Sequence, residues 1–180
     1  MGMATLVERA IGAAKLDASI YEEIEHDQGA LGQAMAVVVI AAVASGIGAA
    51  AGGASAVAAS VVGALIGWFV WAFLIWFIGT NLMPEPTTKA DIGEVLRTIG
   101  FASAPGVLNV FGIVPVIGAI FGLVAAVWQL AAMVVAVRAA LDYAANGRAI
   151  VVCLIGFVVN VFIVMFLVGI LGGASYIANH

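Results

Sequence analysis

The hydrophobic pattern divides the chain into a short mixed lead and a long apolar remainder, which one polar stretch interrupts. In residues 3–14, Met3, Leu6, Val7, Ala10, Ile11 and Ala14 fall on one helical stripe, with Glu8 and Lys15 off it. Ser19 and Glu22 form a capping-box pattern ahead of Ile20, Tyr21 and Ile24, so a second short amphipathic helix is expected. Between Gln28 and Pro84 there is no charged residue, which leaves room for two spans of about 20 residues each. They are expected near 30–50 and 56–79, with the turn at Ala51-Gly52-Gly53-Ala54-Ser55.

The interruption, Thr87 to Gly106, changes character as it runs. Thr88 and Asp91 match a capping box, and Ile92, Val95, Leu96 and Ile99 repeat at helical spacing. An interfacial helix is therefore expected over 88–97. Beyond Arg97 there is no charge until Arg138. Pro105 removes a backbone donor, so the helix should kink or be rebuilt there. A short third span near 98–113 follows, then a break at Gly112, Pro115 and Gly118, and a fourth span near 118–139. Asn146-Gly147 signals a turn before a fifth span near 149–172. The expected architecture is all-α: a five-helix membrane domain over 29–175, an amphipathic lead over 1–28 and a tail over 176–180. The rival is a re-entrant hairpin at Phe101–Gly118.

Composition excludes a soluble globule of this pattern. Hydrophobic residues make up 65% of the 180 and charged residues 9%, against roughly 25% charged in soluble domains. A net charge of −4 without a basic patch gives nucleic acid nothing to bind. In the five-span arrangement all six basic residues, Arg9, Lys15, Lys89, Arg97, Arg138 and Arg148, fall on one side. The positive-inside rule then puts the N-terminus in the cytosol and the C-terminus outside. The acidic first 28 residues do not read as a cleavable signal, so the first span is expected to act as an uncleaved anchor. Abundant alanine and glycine with two lysines suggest a bacterial chain, and hence a bacterial cytoplasmic (inner) membrane.

Candidate chemistry is sparse. No ionisable residue lies within the five expected spans, which counts against a pump or coupled transporter. No nucleotide loop, metalloprotease motif or nucleophile with a base is present, so no enzyme activity, cofactor or metal is expected. Cys153 sits among apolar neighbours and is expected to be inert. Asn109, Gln129 and Asn160 each lie about 14–18 Å inward of Arg97, Arg138 and Arg148, near the midplane. They read as interhelical hydrogen-bonding groups or as a polar lining for a small solute. The acidic run Glu22, Glu23, Glu25 and Asp27 reads as a solvated face or as a docking surface for a basic partner. Glycine pairs Gly48/Gly52, Gly63/Gly67, Gly118/Gly122 and Gly169/Gly173 are placed at the outer ends of spans. Trp71, Phe73, Trp76 and Phe77 lie in the inner half of the second. This reads as ordinary packing with an aromatic belt, or as a bundle narrow outside and wide at the cytosolic face, a wedge that biases curvature or leaves a lipid-filled groove.

The order of elements, together with Arg97-Thr-Ile-Gly-Phe101-Ala-Ser-Ala-Pro105, Trp128 in the fourth span and Gly147-Arg148-Ala149 before the fifth, resembles the Yip-domain family of five-span membrane proteins in its bacterial form. The likeness covers nearly the whole chain. It implies the fold and little biochemistry; the favoured reading is a non-enzymatic scaffold of this type that organises membrane or membrane-protein partners, or a second copy of itself, through its cytosolic face. Eukaryotic relatives are associated with small GTPases of vesicle traffic, but Phe77-Ile-Gly-Thr80 stands where an acidic-aromatic element would be sought, which weakens that link. The runners-up are a small passive channel or solute carrier lined by the amides, and an accessory subunit of a larger membrane complex.

The one-sided charge makes the topology testable. In a Cys153→Ser background, single cysteines at Ala54 and Asn179 should react with an impermeant reagent from outside. Cysteines at Thr87 and Ala145 should react only once the membrane is opened. External labelling at Ala145 contradicts five spans.

Overall fold

The computed structural model describes residues 5–49, 53–114 and 116–178. Among the described residues there are seven α-helices and no strand: α1 Leu6–Ala14, α2 Ala18–His26, α3 Leu31–Gly48, α4 Gly53–Phe77, α5 Ile92–Ala102, α6 Ile117–Ala140 and α7 Asn146–Ala178. Five stretches are long and apolar enough to cross a membrane: Gln28–Gly48, Gly53–Leu82, Ile92–Ile113, Ile117–Ala140 and Asn146–Ile163. The expected turn at 51–55 falls partly outside the described residues, with Ala51 and Gly52, as do Pro115 and the last two residues of the 176–180 tail.

Helix starts differ from the sequence reading because competing caps win. Helix α1 opens on a capping box of Thr5 and Glu8, with the Thr5 N–H donating to Glu8 Oε2 at 2.8 Å and the Glu8 N–H to Thr5 Oγ1 at 3.3 Å. The cap of α2 is Asp17, which accepts from the Ser19 N–H, and not Ser19 itself. The box ahead of α5 is Asp91 with Glu94, so that helix begins at Ile92 and not at Thr88. Thr88 instead closes a turn on Glu85. Consequently 88–97 is no separate interfacial helix. Its ordered part is the first turns of the third crossing stretch.

Pro105 rebuilds the helix as expected. It occupies the first turn of a 3₁₀ run, Ala104–Ile113, that follows α5 without reversing direction. A 3₁₀ helix rises about 2.0 Å per residue against about 1.5 Å in an α-helix, so a short segment reaches further. Side-by-side neighbours show that it runs the full length of α3. A Cβ on Gly100 would meet Ala34 at 2.8 Å, one on Gly106 would meet Ala41 at 3.1 Å, and one on Gly112 would meet the Gly48 backbone at 2.9 Å. That parallel seam leaves no re-entrant hairpin at Phe101–Gly118. The break before α6 is made at Val116, whose φ of 68° and ψ of −57° are strained for a β-branched residue.

The small-residue contacts favour ordinary packing over the wedge. Close backbone approach runs along the whole α3 seam and is not confined to one end. Gly118 abuts Gly112, and Gly46 abuts Val57, but a Cβ at Gly63, Gly67 or Gly122 would meet nothing within 4 Å. Those three glycines are not contact points. Gly52 lies outside the described residues. The indoles of α4 fasten it to α5 and to the segment before it: Trp68 donates to the Leu96 carbonyl at 3.0 Å and Trp76 to the Ala90 carbonyl at 3.0 Å. Phe73 and Phe77 stack outward, exposed.

The seam predicts a clear contrast. At Gly48 a Cβ would fall 1.9 Å from the Asn109 carbonyl oxygen, which is backbone and cannot step aside. Gly48→Ala should therefore cost about 1–3 kcal/mol in a detergent unfolding assay. Gly63→Ala should be neutral or gain up to about 1 kcal/mol from lower backbone entropy.

Candidate functional site at the polar end of the bundle

The ends of helices leave carbonyls without intrahelical partners, and near a membrane water is a poor substitute. This fold answers with side-chain donors. Helix α1 ends in a Schellman-type turn with Leu16 at φ 62°, where the Asp17 N–H donates to the Gly12 carbonyl and the Leu16 N–H to the Ala13 carbonyl. Its last carbonyls then take outside donors: Tyr21 Oη donates to Ala13 at 3.1 Å and Trp128 Nε1 to Ala14 at 2.6 Å. Helix α2 receives Arg97 from α5. The guanidinium Nε lies 3.2 Å from both the Ile24 and Glu25 carbonyls, and Nη2 also donates to Glu25. Gly93, one turn before Arg97, leaves room for that guanidinium; a Cβ there would stand 3.0 Å from Arg97 Nη1.

Arg97 is 6% exposed and, among the described residues, forms no ion pair. Its charge is met by the negative end of the α2 dipole. Arg9, 1% exposed, is the opposite case. It donates to Glu23 at 2.9 Å, to Asp27 at 2.6 Å and to the Gln33 side-chain oxygen at 3.1 Å, tying α1 to the end of α2 and to the start of α3. That hydrogen bond holds the Asp27 carboxyl below the usual carboxylate range. The apolar stripe of α1 is correspondingly turned. Leu6 and Ala10 pack on the core, but Val7 and Ile11 face outward, while Arg9, Gly12 and Ala13 are buried.

The loops join the same platform. Helix α4 relaxes through a π turn at Ile78–Leu82, and the Tyr143 hydroxyl sits 2.8 Å from the Met83 carbonyl and 3.2 Å from that of Gly79. Arg148 donates to the Pro84 carbonyl at 2.7 Å and pairs with Glu85 at 3.3 Å. Thr87 donates to the Asp142 carbonyl at 3.0 Å.

Of the acidic run, Glu22 and Glu23 are exposed, but Glu23 and Asp27 are engaged by Arg9 and Glu25 is buried. The run is thus largely an internal fastening and not a solvated face. Glu25 is 3% exposed, and its Oε2 has no hydrogen-bond partner. Burial pushes its carboxyl up to about 7, and the negative charges of Asp142, Glu22 and Glu94 add to that while His26 opposes it.

Phe101 and Pro105 are buried where α5 passes into the 3₁₀ run. Asn109 donates to Ser45 Oγ at 3.1 Å beside Gly48, so it stands near the far end of α3 and not at the midplane. The longer 3₁₀ rise carried it there. Asn109 and Gln129 share a cavity of about 280 Å³ with Ser45, Ser60 and Ser103. Asn160, on α7, does not line it. Arg9, Trp68, Trp76 and Tyr143 were missed as positioning residues. An arginine set against a later acid run was a readable signal, and two indoles on an apolar helix a weaker one.

The family model described as the Yip1 domain matches residues 18–171. No curated protein and no solved structure matches the chain.

Glu25 gives a pH dependence. A carboxyl whose folded pKa is raised contributes stability that is complete below its unfolded value of about 4.5 and is lost as pH rises through about 7. In metal-free buffer Glu25→Gln should match the parent melting temperature near pH 5 and exceed it at pH 8. A difference that does not grow with pH contradicts the buried-carboxyl assignment.

Proposed function

The chain belongs to the Yip1 domain family and is a multi-pass membrane protein of that type, and from that premise we propose that it is a non-enzymatic scaffold. It organises membrane or membrane-protein partners, a second copy of itself among them, through the polar end of the bundle. One observation carries this reading: α1, α2 and the loops 83–91 and 141–145 are fastened to the bundle by Arg97, Arg9, Trp128, Tyr143 and Arg148, and so form a pre-organised surface. A fixed surface loses little entropy on binding, which is what a docking platform needs. By the positive-inside rule that end faces the cytosol of a bacterial cell, across its cytoplasmic membrane.

A second reading has one observation in its favour. The cavity that Asn109 and Gln129 share with three serines is large enough for a small polar solute. It would make the protein a passive carrier, using two of the three amides singled out by the sequence.

Photocrosslinking separates the two. A photoreactive residue at Glu22 or Ala145 should give discrete protein adducts in intact membranes, and one at Ile113 or Val116 should give few. Liposomes holding the purified protein should be no leakier to small polar solutes than empty ones. Solute flux abolished by Gln129→Leu, with no adduct at the polar end, favours the carrier.

A further inference from the structure

The last turn of α2 presents Glu22, Glu25 and His26 at helical spacing of three and four, which places all three side chains on one face. One carboxylate oxygen from each acid and a ring nitrogen of His26 all lie within 4.8 Å of one another. We propose that these three residues bind a divalent first-row transition cation of the Zn²⁺ type.

Three features beyond the cluster itself support the assignment. The Glu25 carboxylate is enclosed, yet its Oε2 finds no protein donor. Leaving such a group buried and unpartnered is costly, and a coordinated cation removes the cost. His26 Nδ1 lies 2.8 Å from the Glu22 carbonyl, so it donates there and leaves the Nε2 lone pair for a ligand bond. A metal-bound histidine is ordinarily fixed in this manner by its second ring nitrogen. Lastly, Glu94 and Asp142 approach from α5 and from the loop after α6, and both act on Glu25 as negative charges. They add to the attraction for a cation without being needed as ligands. The nearby Arg97 is already directed at the backbone carbonyls of Ile24 and Glu25, so it does not neutralise the Glu25 carboxylate by hydrogen bonding.

Coordination bonds of about 2.0–2.2 Å hold donor atoms at most about 4 Å apart. Closing the site therefore takes a small swing of the Glu22 and His26 side chains, both of which are exposed. An imidazole among the donors favours a transition cation over Mg²⁺, which prefers an all-oxygen octahedron.

The test uses the full-length protein in detergent, stripped with a chelator and titrated with Zn²⁺ in competition with a chromophoric chelator. One equivalent should bind, and Zn²⁺ should raise the melting temperature. Glu25→Gln and His26→Gln should each weaken binding at least tenfold and abolish the thermal shift. Glu8→Gln and His180→Gln, which alter an acid and the second histidine outside the cluster, should leave both unchanged. Because His26 is exposed, its variant keeps the fold and remains decisive by itself. Failure to bind one equivalent, or equal affinity in His26→Gln and the parent, overturns the proposal. The scaffold reading stands or falls independently, on the crosslinking pattern.

Discussion

Helix C-termini that end at a membrane boundary expose carbonyls that need donors, and in this protein the most consequential donor is the Arg97 guanidinium. Burying an unpaired cation is expensive. Here the expense is met by two carbonyls in the last turn of α2, those of Ile24 and Glu25, and the dipole behind them. The result is a mutual dependence: Arg97 is tolerable at 6% exposure only while α2 is seated, and α2 is seated in large part by Arg97. The same chemistry recurs on a smaller scale. Trp128 takes the end of α1, Tyr143 the carbonyls released by the π turn of α4, and Arg148 the carbonyl of Pro84.

This explains how a lead helix with an apolar stripe ends with part of that stripe, Val7 and Ile11, outward while Leu6 and Ala10 pack on the core. Were α1 held by its hydrophobic face, Val7 and Ile11 would be covered, yet they are 60% and 50% exposed. Its polar inward anchor is Arg9, bound to Glu23, Asp27 and Gln33, leaving Val7 and Ile11 for the lipid boundary. The amphipathic signal was correct, and the partner of each face was not deducible from it. A sequence shows that a face is apolar but not whether lipid or protein covers it.

Elsewhere the legibility of the sequence follows the range of the interaction. Pro105 acts on its own backbone, and its consequence was readable. The family resemblance was readable too, through Arg97 to Pro105, Trp128 and Arg148, and three of those residues prove to be the donors just described. Thr88 misled because two capping boxes overlap, and only the one at Asp91 places its acid, Glu94, within reach of the cap's own N–H at 2.8 Å. Asn109 lies further along the bundle than α-helical spacing predicts, because its segment is 3₁₀ and rises more per residue. The Arg9 network spans up to 24 residues of sequence and joins three elements, so no local pattern encodes it.

The dependence of the N-terminal platform on a single guanidinium is most directly tested by hydrogen–deuterium exchange in Arg97→Met, which keeps an unbranched apolar stem and removes the donors. Hydrogen bonds from a charged group contribute about 1.5–3 kcal/mol, which corresponds to roughly ten- to hundredfold faster opening. The account predicts that acceleration at the amides of α1 and α2, with α3, α6 and the start of α7 as protected as in the parent. Unchanged protection of residues 6–26 in the variant would contradict it.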